Sequence, residues 1–242
     1  MNEIEESYVR MFGYIKKDLD NYYIFKEKKK FADYMLRIIY KIWGKYIITN
    51  KCNYNHIALS FNKVYFWKNL LKNLIFFDMY FDLIGDSILD VGCGAAPVSI
   101  AIAYLAKTKK KEGISFFLID KSENQLNIAR DLTRLMSIQI ESYIEEFFNI
   151  KCERYSKLVI FSYFFCEQKK DFMEKLFNNR GKFTNGFVVI DHKDNIIKLK
   201  KYFKIYGDDN IEIVNFNYSV PSILTEFIHD KEVNVHGCFY RP

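Results

Sequence analysis

Residues 88–97 constrain the fold of this chain more than any other segment. An apolar run at 88–91 is followed at once by Gly92-Cys93-Gly94, and Pro97 comes three residues later. A short apolar run, closely spaced glycines and a proline predict a buried strand, a tight turn and the first turn of a helix. Glycines let the main chain approach a ligand closely. The segment therefore predicts a strand–turn–helix unit built to hold a ligand.

A second apolar run, residues 114–119, ends at Asp120. Parallel strands end at the same edge of a sheet, so we expect Asp120 to lie beside the glycine turn. A carboxylate in this position accepts hydrogen bonds from the ribose hydroxyls of a nucleoside-bearing cofactor. The order of strand, glycine turn, helix, strand and acid favours such a cofactor more strongly than the glycines do alone.

The exact sequence of the glycine turn distinguishes a dinucleotide cofactor from other nucleoside-bearing cofactors. A dinucleotide fingerprint has a third glycine where this chain has Pro97. Asp90 stands two residues before Gly92, which gives Asp-x-Gly-x-Gly. This pattern resembles motif I of the class I S-adenosylmethionine (SAM) dependent methyltransferases, and the resemblance extends from residue 88 to about residue 195. A nucleotide or NAD site, or a turn without any ligand, are the alternatives.

The resemblance implies an α/β fold, with a Rossmann-like, seven-stranded and mostly parallel sheet, helices on both faces and an antiparallel last strand. From Ser87 the sequence alternates strand and helix patterns as such a sheet requires. Ser122 and Gln125 form a capping-box pattern that starts a helix after Asp120. Strands are expected at residues 88–90, 114–119, 138–144, 158–165, 187–190, 211–217 and 233–240.

The region before the sheet is helical in pattern. Apolar residues recur at three- and four-residue spacing in 31–46 and again at Val64, Trp67, Leu71 and Leu74, with a weaker amphipathic pattern at 8–22. We expect residues 1–85 to form a helical N-terminal extension that covers or shapes the acceptor site. Residues 86–242 would form the SAM-binding domain. The apolar stripes of these helices are suited to packing on the core. The alternative is that their aromatic residues line an acceptor pocket.

The resemblance also assigns the cofactor contacts. Gly92 and Gly94 would leave room for the methionine part of SAM, Asp90 would orient the loop or engage the amino group, and Asp120 would accept the ribose hydroxyls. Cys93 is a small loop residue and is not expected to act as a nucleophile. The residues expected at the cofactor are Asp90, Gly92, Cys93, Gly94, Asp120, Lys121, Glu146, Phe147 and Ser162.

Two of these contacts concern adenine. Glu146 and Phe147 resemble the acid-containing segment that ends the third strand of the family. Glu145 is an equally charged neighbour and remains the alternative to Glu146. An ordinary exposed pair of acids is an equally good interpretation of this segment.

The sequence does not identify a catalytic residue. The candidates are Tyr163 and Glu167, after the fourth strand, and His192, after the fifth. His192 has a near-neutral intrinsic pKa that suits a general base, although a solvated loop histidine fits the same position. The chain lacks the Pro-Pro-aromatic motif of many amino-group methyltransferases and the Pro-Cys pair of the cytosine carbon-5 enzymes. Methyl transfer from SAM depends mainly on proximity and alignment, so no base is required in principle.

The acceptor is less well determined. The net charge is +6, and basic residues cluster at 26–30, 107–111 and 193–204. Such clusters suit an anionic partner such as RNA, and they also suit solvated helix faces. The Gly-Cys-Gly-x-x-Pro spelling is similar to that of some ribosomal RNA methyltransferases, such as the aminoglycoside-resistance group. RNA is therefore slightly favoured, with a small-molecule acceptor and a catalytically degenerate SAM-binding partner subunit as alternatives.

Composition and residue spacing bear on localisation, membrane insertion and metal binding. The N-terminus is acidic and lacks a secretory signal pattern, and no uncharged run approaches the roughly 20 residues of a membrane span. Five irregularly spaced cysteines suit free thiols in a reducing compartment, so we expect a cytoplasmic protein. We expect no metal site, because Cys52 and His56 lie far in sequence from His236 and Cys238, and no CxxC pair occurs. Nothing indicates the oligomeric state.

Overall fold

The strands form a single sheet in the computed structural model. The model describes residues 3–19, 55–145, 147, 157–165, 168, 171–228 and 230–242. Its strands are β1 (Ser87–Val91), β2 (Ser115–Asp120), β3 (Ile140–Ile144), β4 (Leu158–Ser162), β5 (Phe187–Ile190), β6 (Ile211–Ser219) and β7 (Glu232–Tyr240). They join in the order β3-β2-β1-β4-β5-β7-β6 as one seven-stranded sheet.

Helices precede the sheet and alternate with its strands. Within the described residues they are α1 (Glu3–Leu19), α2 (Asn55–Met79), α3 (Pro97–Thr108), α4 (Glu123–Leu135), α5 (Phe172–Asn178), α6 (Lys193–Ile205) and α7 (Thr225–Ile228). Short 3-10 turns lie at Phe81–Leu83, Arg180–Lys182 and Ser222–Leu224. Of these described helices, none combines the length and apolar character needed to cross a bilayer.

The strand order places a switch point at the centre of the sheet. β1 pairs in parallel with β2 on one side and with β4 on the other, and β4 pairs in parallel with β5. β7 is antiparallel to both β5 and β6. The chain therefore leaves β1 in one direction and returns to its other side, which opens a crevice at the carboxyl ends of β1 and β4 where ligands of such sheets bind. The α/β, Rossmann-like prediction is confirmed.

Successive side chains along the central strands point alternately into two hydrophobic cores, one on each face of the sheet. Ile88, Leu118 and Ile160 lie in the core that also contains α1 to α4. Leu89 and Phe161 lie in the opposite core, with α5 and α6. Both faces of the central strands are thus covered, which explains why these strands read as continuous apolar runs rather than alternating ones.

The predicted fourth strand was too long. The other predicted strands match the observed ones within two residues at each end, but β4 ends at Ser162 rather than at residue 165. Tyr163 has a φ of +55°, which turns the chain away from the strand. Phe165 is nevertheless buried in the core, so the apolar pattern continues past the point where the strand stops. Hydrophobicity alone therefore could not locate this end.

The predicted helix through Val64 and Leu74 is confirmed as α2. The weaker N-terminal pattern is a helix over Glu3–Leu19, and the stripe at 31–46 lies outside the described residues. α2 packs mainly along α3, and the Lys109 Nζ at the end of α3 lies 2.9 Å from Asp78 Oδ1. α2 and the sheet share one hydrophobic core. A domain boundary near residue 85 stays a prediction.

The contact between α2 and β7 is tight enough to test. A Cβ built on Gly237 of β7 would lie 2.5 Å from Phe76 Cε2 and 3.1 Å from Val189 O, and Phe76 is fully buried. We expect Gly237→Ala to lower the free energy of unfolding by roughly 1–3 kcal/mol, because overpacking displaces a buried ring. Urea unfolding measures this change.

The matched control is Gly13, an exposed glycine in α1 with no atom within 4 Å of a Cβ built on it. Gly13→Ala should raise the free energy of unfolding by about 1 kcal/mol, because alanine has the higher helix propensity. Unchanged stability in Gly237→Ala would show that α2 does not dock on β7 as described.

Candidate active site

The glycine turn after β1 is pinned to the end of β2. The N–H groups of Gly92 and Cys93 donate to Ile119 O at 2.8 and 3.1 Å, and Ala96 N–H donates to Cys93 O at 2.8 Å. Gly92, Gly94 and Ala96 have φ values of +65°, +54° and +59°, in the left-handed region that glycine adopts without strain. The turn therefore contains three left-handed residues before Pro97 opens α3.

The two glycines meet different surroundings. A Cβ on Gly92 would overlap the Phe164 ring. A Cβ on Gly94 would have only Asn62 Oδ1 at 3.9 Å and Gln125 Oε1 at 4.0 Å as near neighbours. Gly92 is thus required for packing, whereas Gly94 leaves open space beside bare main chain. Such a space is what the backbone of a cofactor-binding turn must provide.

Asp120 connects this turn to the next helix. Its Oδ2 accepts a hydrogen bond from Gly94 N–H at 3.0 Å, and its Oδ1 accepts one from Ser122 N–H at 2.8 Å. Burial raises the pKa of Asp120, while the N–H donors of Ser122 and Gly94 oppose that shift. Each carboxylate oxygen has a second lone pair. The carboxylate is therefore suited to accept ribose hydroxyls while it holds the turn in place.

Asp90 lies beneath the turn and is only 1% exposed. Its Oδ2 accepts a hydrogen bond from Ser99 Oγ at 2.9 Å, at the start of α3. Burial raises the pKa of Asp90 to about 7, against the opposing effect of hydrogen bonds from Ser99. This geometry suits the first of the two predicted roles, orientation of the loop. Sequence reasoning did not single out Ser99, although a serine in the first turn of an otherwise apolar helix was a usable signal.

Cys93 and Lys121, which lie near Asp90 and Asp120, differ in solvent exposure. The Cys93 side chain is buried, and burial raises the pKa of its thiol well above the usual value. A neutral, buried thiol is a poor nucleophile, in keeping with the expectation from sequence. Lys121 is exposed beside Asp120 and favours the ionised form of that carboxyl.

Phe147 is packed within the core. Its ring stacks on Phe183 at a centroid distance of 6.0 Å and meets Phe161 edge-on at 5.0 Å. It is 4% exposed, so contact with an adenine ring stays a prediction. Glu146, the other adenine candidate, lies outside the described residues.

A second group of side chains lies at the carboxyl ends of β4 and β5. Ser162 Oγ donates to Asn73 Oδ1 of α2 at 3.1 Å. Tyr163 N–H donates to Ile190 O at 2.7 Å, and the Tyr163 ring meets the His192 ring edge-on at 5.8 Å. A positive φ is uncommon for a bulky residue, and such strain clusters at functional sites. The structure thus brings together two of the three catalytic candidates, and the third, Glu167, lies outside the described residues.

Sequence reasoning missed two members of this group. Lys72 Nζ lies 4.7 Å from the centroid of the Tyr163 ring, and burial, then the charge of Lys68, lowers the pKa of Lys72 to about 8. His236 Nδ1 lies 2.7 Å from Asn215 Oδ1, and burial, then the charge of Lys72, lowers the pKa of His236. A lysine within the apolar stretch of α2 was a signal in the sequence. The position of His236 depends on the pairing of β6 and β7, which no local pattern reveals.

The contrast between the two glycines yields a prediction. Gly92→Ala should reduce stability and the binding of S-adenosylhomocysteine (SAH), because the new Cβ overlaps Phe164 and also needs a left-handed φ. Gly94→Ala should cost the fold only about 1–2 kcal/mol of backbone strain. Its methyl group should still weaken SAH binding, because it fills the open space. Urea unfolding and calorimetry separate the two effects, and normal SAH affinity in Gly94→Ala would contradict the site.

Burial of Asp90 predicts a pH dependence of stability. Its pKa in the folded protein, about 7, exceeds the ordinary value of 3.8, so folding favours the protonated carboxyl. The contribution is fully present below about pH 4, is lost as the pH rises through 7, and stays lost above it. Asp90→Asn, which stays neutral, should show a smaller decrease in the free energy of unfolding between pH 4 and 7. Urea titrations at a series of pH values test this, and parallel profiles for the two proteins would contradict it.

Comparison with known proteins identifies the family. A family model described as "Methyltransferase domain" matches residues 84–227, more than half of the 242-residue chain. The plantazolicin methyltransferase BpumL, solved in complex with SAH, is similar in structure, with a TM-score of 0.51 and 14% identity over 74% of this chain and 86% of that chain. A SAM-dependent methyltransferase from Aquifex aeolicus has a TM-score of 0.46 and 17% identity over 69% and 88%. No protein of curated function matches the sequence significantly.

The match begins just before β1 and includes the glycine turn, Asp120 and the ends of β4 and β5. Structural similarity at such low identities shows a shared fold, and the family match adds the activity. The chain therefore belongs to the methyltransferase domain family, and it is a SAM-dependent methyltransferase with a Rossmann-like fold.

Proposed function

We propose that this enzyme binds SAM at the carboxyl ends of β1 and β2 and transfers its methyl group to RNA. Support for the cofactor half comes from the open main chain at Gly94 and from Asp120, whose Oδ2 accepts a hydrogen bond from the turn and whose Oδ1 accepts one from the start of α4. Asp90 would fix the loop through Ser99. Further contacts are proposed for Gly92, Cys93, Lys121, Glu146, Phe147 and Ser162.

The observation that carries the acceptor half is a group of basic side chains around Tyr163. We call this group, Lys68, Lys72, His192, Lys193 and His236, the cationic rim. The charges of Lys72, Lys193 and His192 all lower the pKa of His236, which indicates that each of them lies near His236. Lys68 is paired with Asp230 at 2.6 Å. The other two lysines of the rim, Lys72 and Lys193, are suited to contact phosphates beside the methyl-transfer site, whereas the lowered pKa of His236 favours its neutral form.

α6 extends the basic surface away from the rim. It begins directly after His192, and Lys193, Lys198, Lys201 and Lys204 are exposed along it. A polyanion that enters at the rim can therefore follow this helix, whereas a small metabolite would not reach most of it. The arrangement favours RNA over a small-molecule acceptor.

The rim also contains groups able to assist the reaction. When bound, SAM supplies an activated methyl group on a sulfonium sulfur. The acceptor must lie in line with that bond, and Tyr163 would position it. Lys72 stays mostly charged at neutral pH, because its pKa is about 8, so His192 would be the group that accepts the proton that a nitrogen or oxygen acceptor loses.

Incubation with methyl-labelled SAM and a cell extract, separated afterwards into RNA, protein and small-molecule fractions, tests the acceptor. We expect the label in RNA. Binding of the labelled RNA should weaken as salt is added, because phosphate contacts release counterions. Lys72→Gln and Lys193→Gln should each reduce the slope of log K against log salt by about 0.7 for single-stranded RNA.

Lys107→Gln is the matched control, since Lys107 is exposed at the far end of α3 and should leave this slope unchanged. Label in the small-molecule fraction, with binding that does not depend on salt, would show a metabolite methyltransferase instead. SAH binding without label in any fraction would favour a degenerate partner subunit.

A further inference from the structure

A buried pair of amides joins α2 to the start of α4. Asn62 Nδ2 donates to Gln125 Oε1 at 2.6 Å, and the two residues are 4% and 3% exposed. They are 63 positions apart in the sequence. Asn62 also precedes the region matched by the family model.

The pair borders the open side of the glycine turn. Asn62 Oδ1 and Gln125 Oε1 lie 3.9 and 4.0 Å from a Cβ built on Gly94, and they are the nearest atoms to it. Gly94 is also the residue whose N–H is held by Asp120. The space that receives the cofactor in the proposed site is thus bounded on one side by these two amides.

α2 crosses the carboxyl ends of the central strands. Asn73 accepts a hydrogen bond from Ser162 at the end of β4, and Asn62 lies about three helical turns earlier. Asn62 Oδ1 is 3.9 Å from a Cβ built on Gly94, in the turn that follows β1. The first half of α2 therefore lies beside the glycine turn.

The chemistry of the pair suits a contact that opens and closes. Gln125 caps its own helix through its main chain, since its N–H donates to Ser122 Oγ at 3.4 Å. Its side chain, which a capping box would direct back to Ser122, contacts α2 instead. Buried amides add little net stability when paired, because they give up hydrogen bonds to water, but they define a specific geometry. A pair of leucines would hold the two helices together at least as well.

We propose that Asn62 and Gln125 form a latch that closes α2 over bound SAM or SAH and slows their release. The proposal rests on the proposed cofactor site but is independent of the acceptor. Asn62 is a positioning residue in this role, because it acts by holding the helix over Gly94.

Dissociation of SAH, measured by stopped-flow fluorescence or surface plasmon resonance, tests the latch. In Asn62→Leu and in Gln125→Met we expect SAH to dissociate about 3- to 10-fold faster, the effect of one lost hydrogen bond. The double variant should be no faster than either single variant, because all three lack the same contact. Asn62→Gln keeps an amide donor and should restore part of the slow dissociation.

Thr133→Val is the matched control for the loss of a buried hydrogen bond. Thr133 lies on α4, the helix of Gln125, is fully buried and donates to Ala129 O at 2.7 Å, away from the glycine turn. This variant should leave SAH dissociation unchanged. Hydrogen exchange gives a second readout: SAH should protect the first half of α2 in the wild-type protein and not in Asn62→Leu.

The failure of the latch and the failure of the cofactor site give different results. The latch alone would be overturned if Asp120→Ala weakens SAH binding while the folded Asn62→Leu and Gln125→Met proteins release SAH at the wild-type rate. An absence of SAH binding to the wild-type protein, or full affinity in Asp120→Ala, would overturn the cofactor site itself. If Asn62→Leu does not fold, Gln125→Met still tests the latch, because it removes the same hydrogen bond from the side of α4.

Discussion

The hydrogen bond from Gly94 N–H to Asp120 Oδ2 joins the ends of the two strands on which the site is built. Through its other oxygen, Asp120 also holds Ser122 at the start of α4. The same carboxylate therefore fixes the glycine turn and the following helix. Asp90 does the equivalent for α3 through Ser99. These two acids thus fix the main chain around the turn, and in the proposed site the position of the cofactor depends on them.

α2 links the cofactor side of the site to the acceptor side. Asn62 reaches the glycine turn, Lys72 lies over Tyr163, and Asn73 accepts a hydrogen bond from Ser162 at the end of β4. Asn62 and Asn73 are buried and Lys72 is half-buried, so these three polar residues all face the rest of the molecule. Because a helix is stiff, a shift of α2 at one end changes both sides of the site together. The helix that precedes the matched domain is therefore part of the proposed site.

Local patterns predicted the parts of this structure that depend on local sequence. The glycine turn, Asp120 at the end of β2 and the Ser122 cap follow from spacing and residue type, and the structure shows all three. The end of β4 does not, because the left-handed φ of Tyr163 leaves the apolar pattern unchanged. The burial of Phe147 was equally hidden, since phenylalanine is so frequent in this chain that its position carries little information.

Contacts between distant segments explain what the sequence could not show. The Asn62–Gln125 pair and the packing of Phe164 on Gly92 depend on how helices and loops dock on the finished sheet, as does the position of Lys72 over Tyr163. Each joins residues whose separation in sequence has no periodic signature. In the sequence, Asn62 and Lys72 are visible only as two of several polar residues of α2. Such residues are costly to bury and are retained when they have a partner or a function.

The distribution of charge across the site agrees with the two proposed ligands. Asp90 and Asp120 lie at the ends of β1 and β2, whereas Lys72, His192 and Lys193 lie towards the ends of β4 and β5. SAM carries a positive sulfonium, so the acidic half is the favourable place for it. An anionic acceptor is favoured in the basic half for the same reason. Two acids near Lys72, Asp191 and Asp230, favour its charged form, so the basic half keeps a positive group at neutral pH where an anionic acceptor would bind.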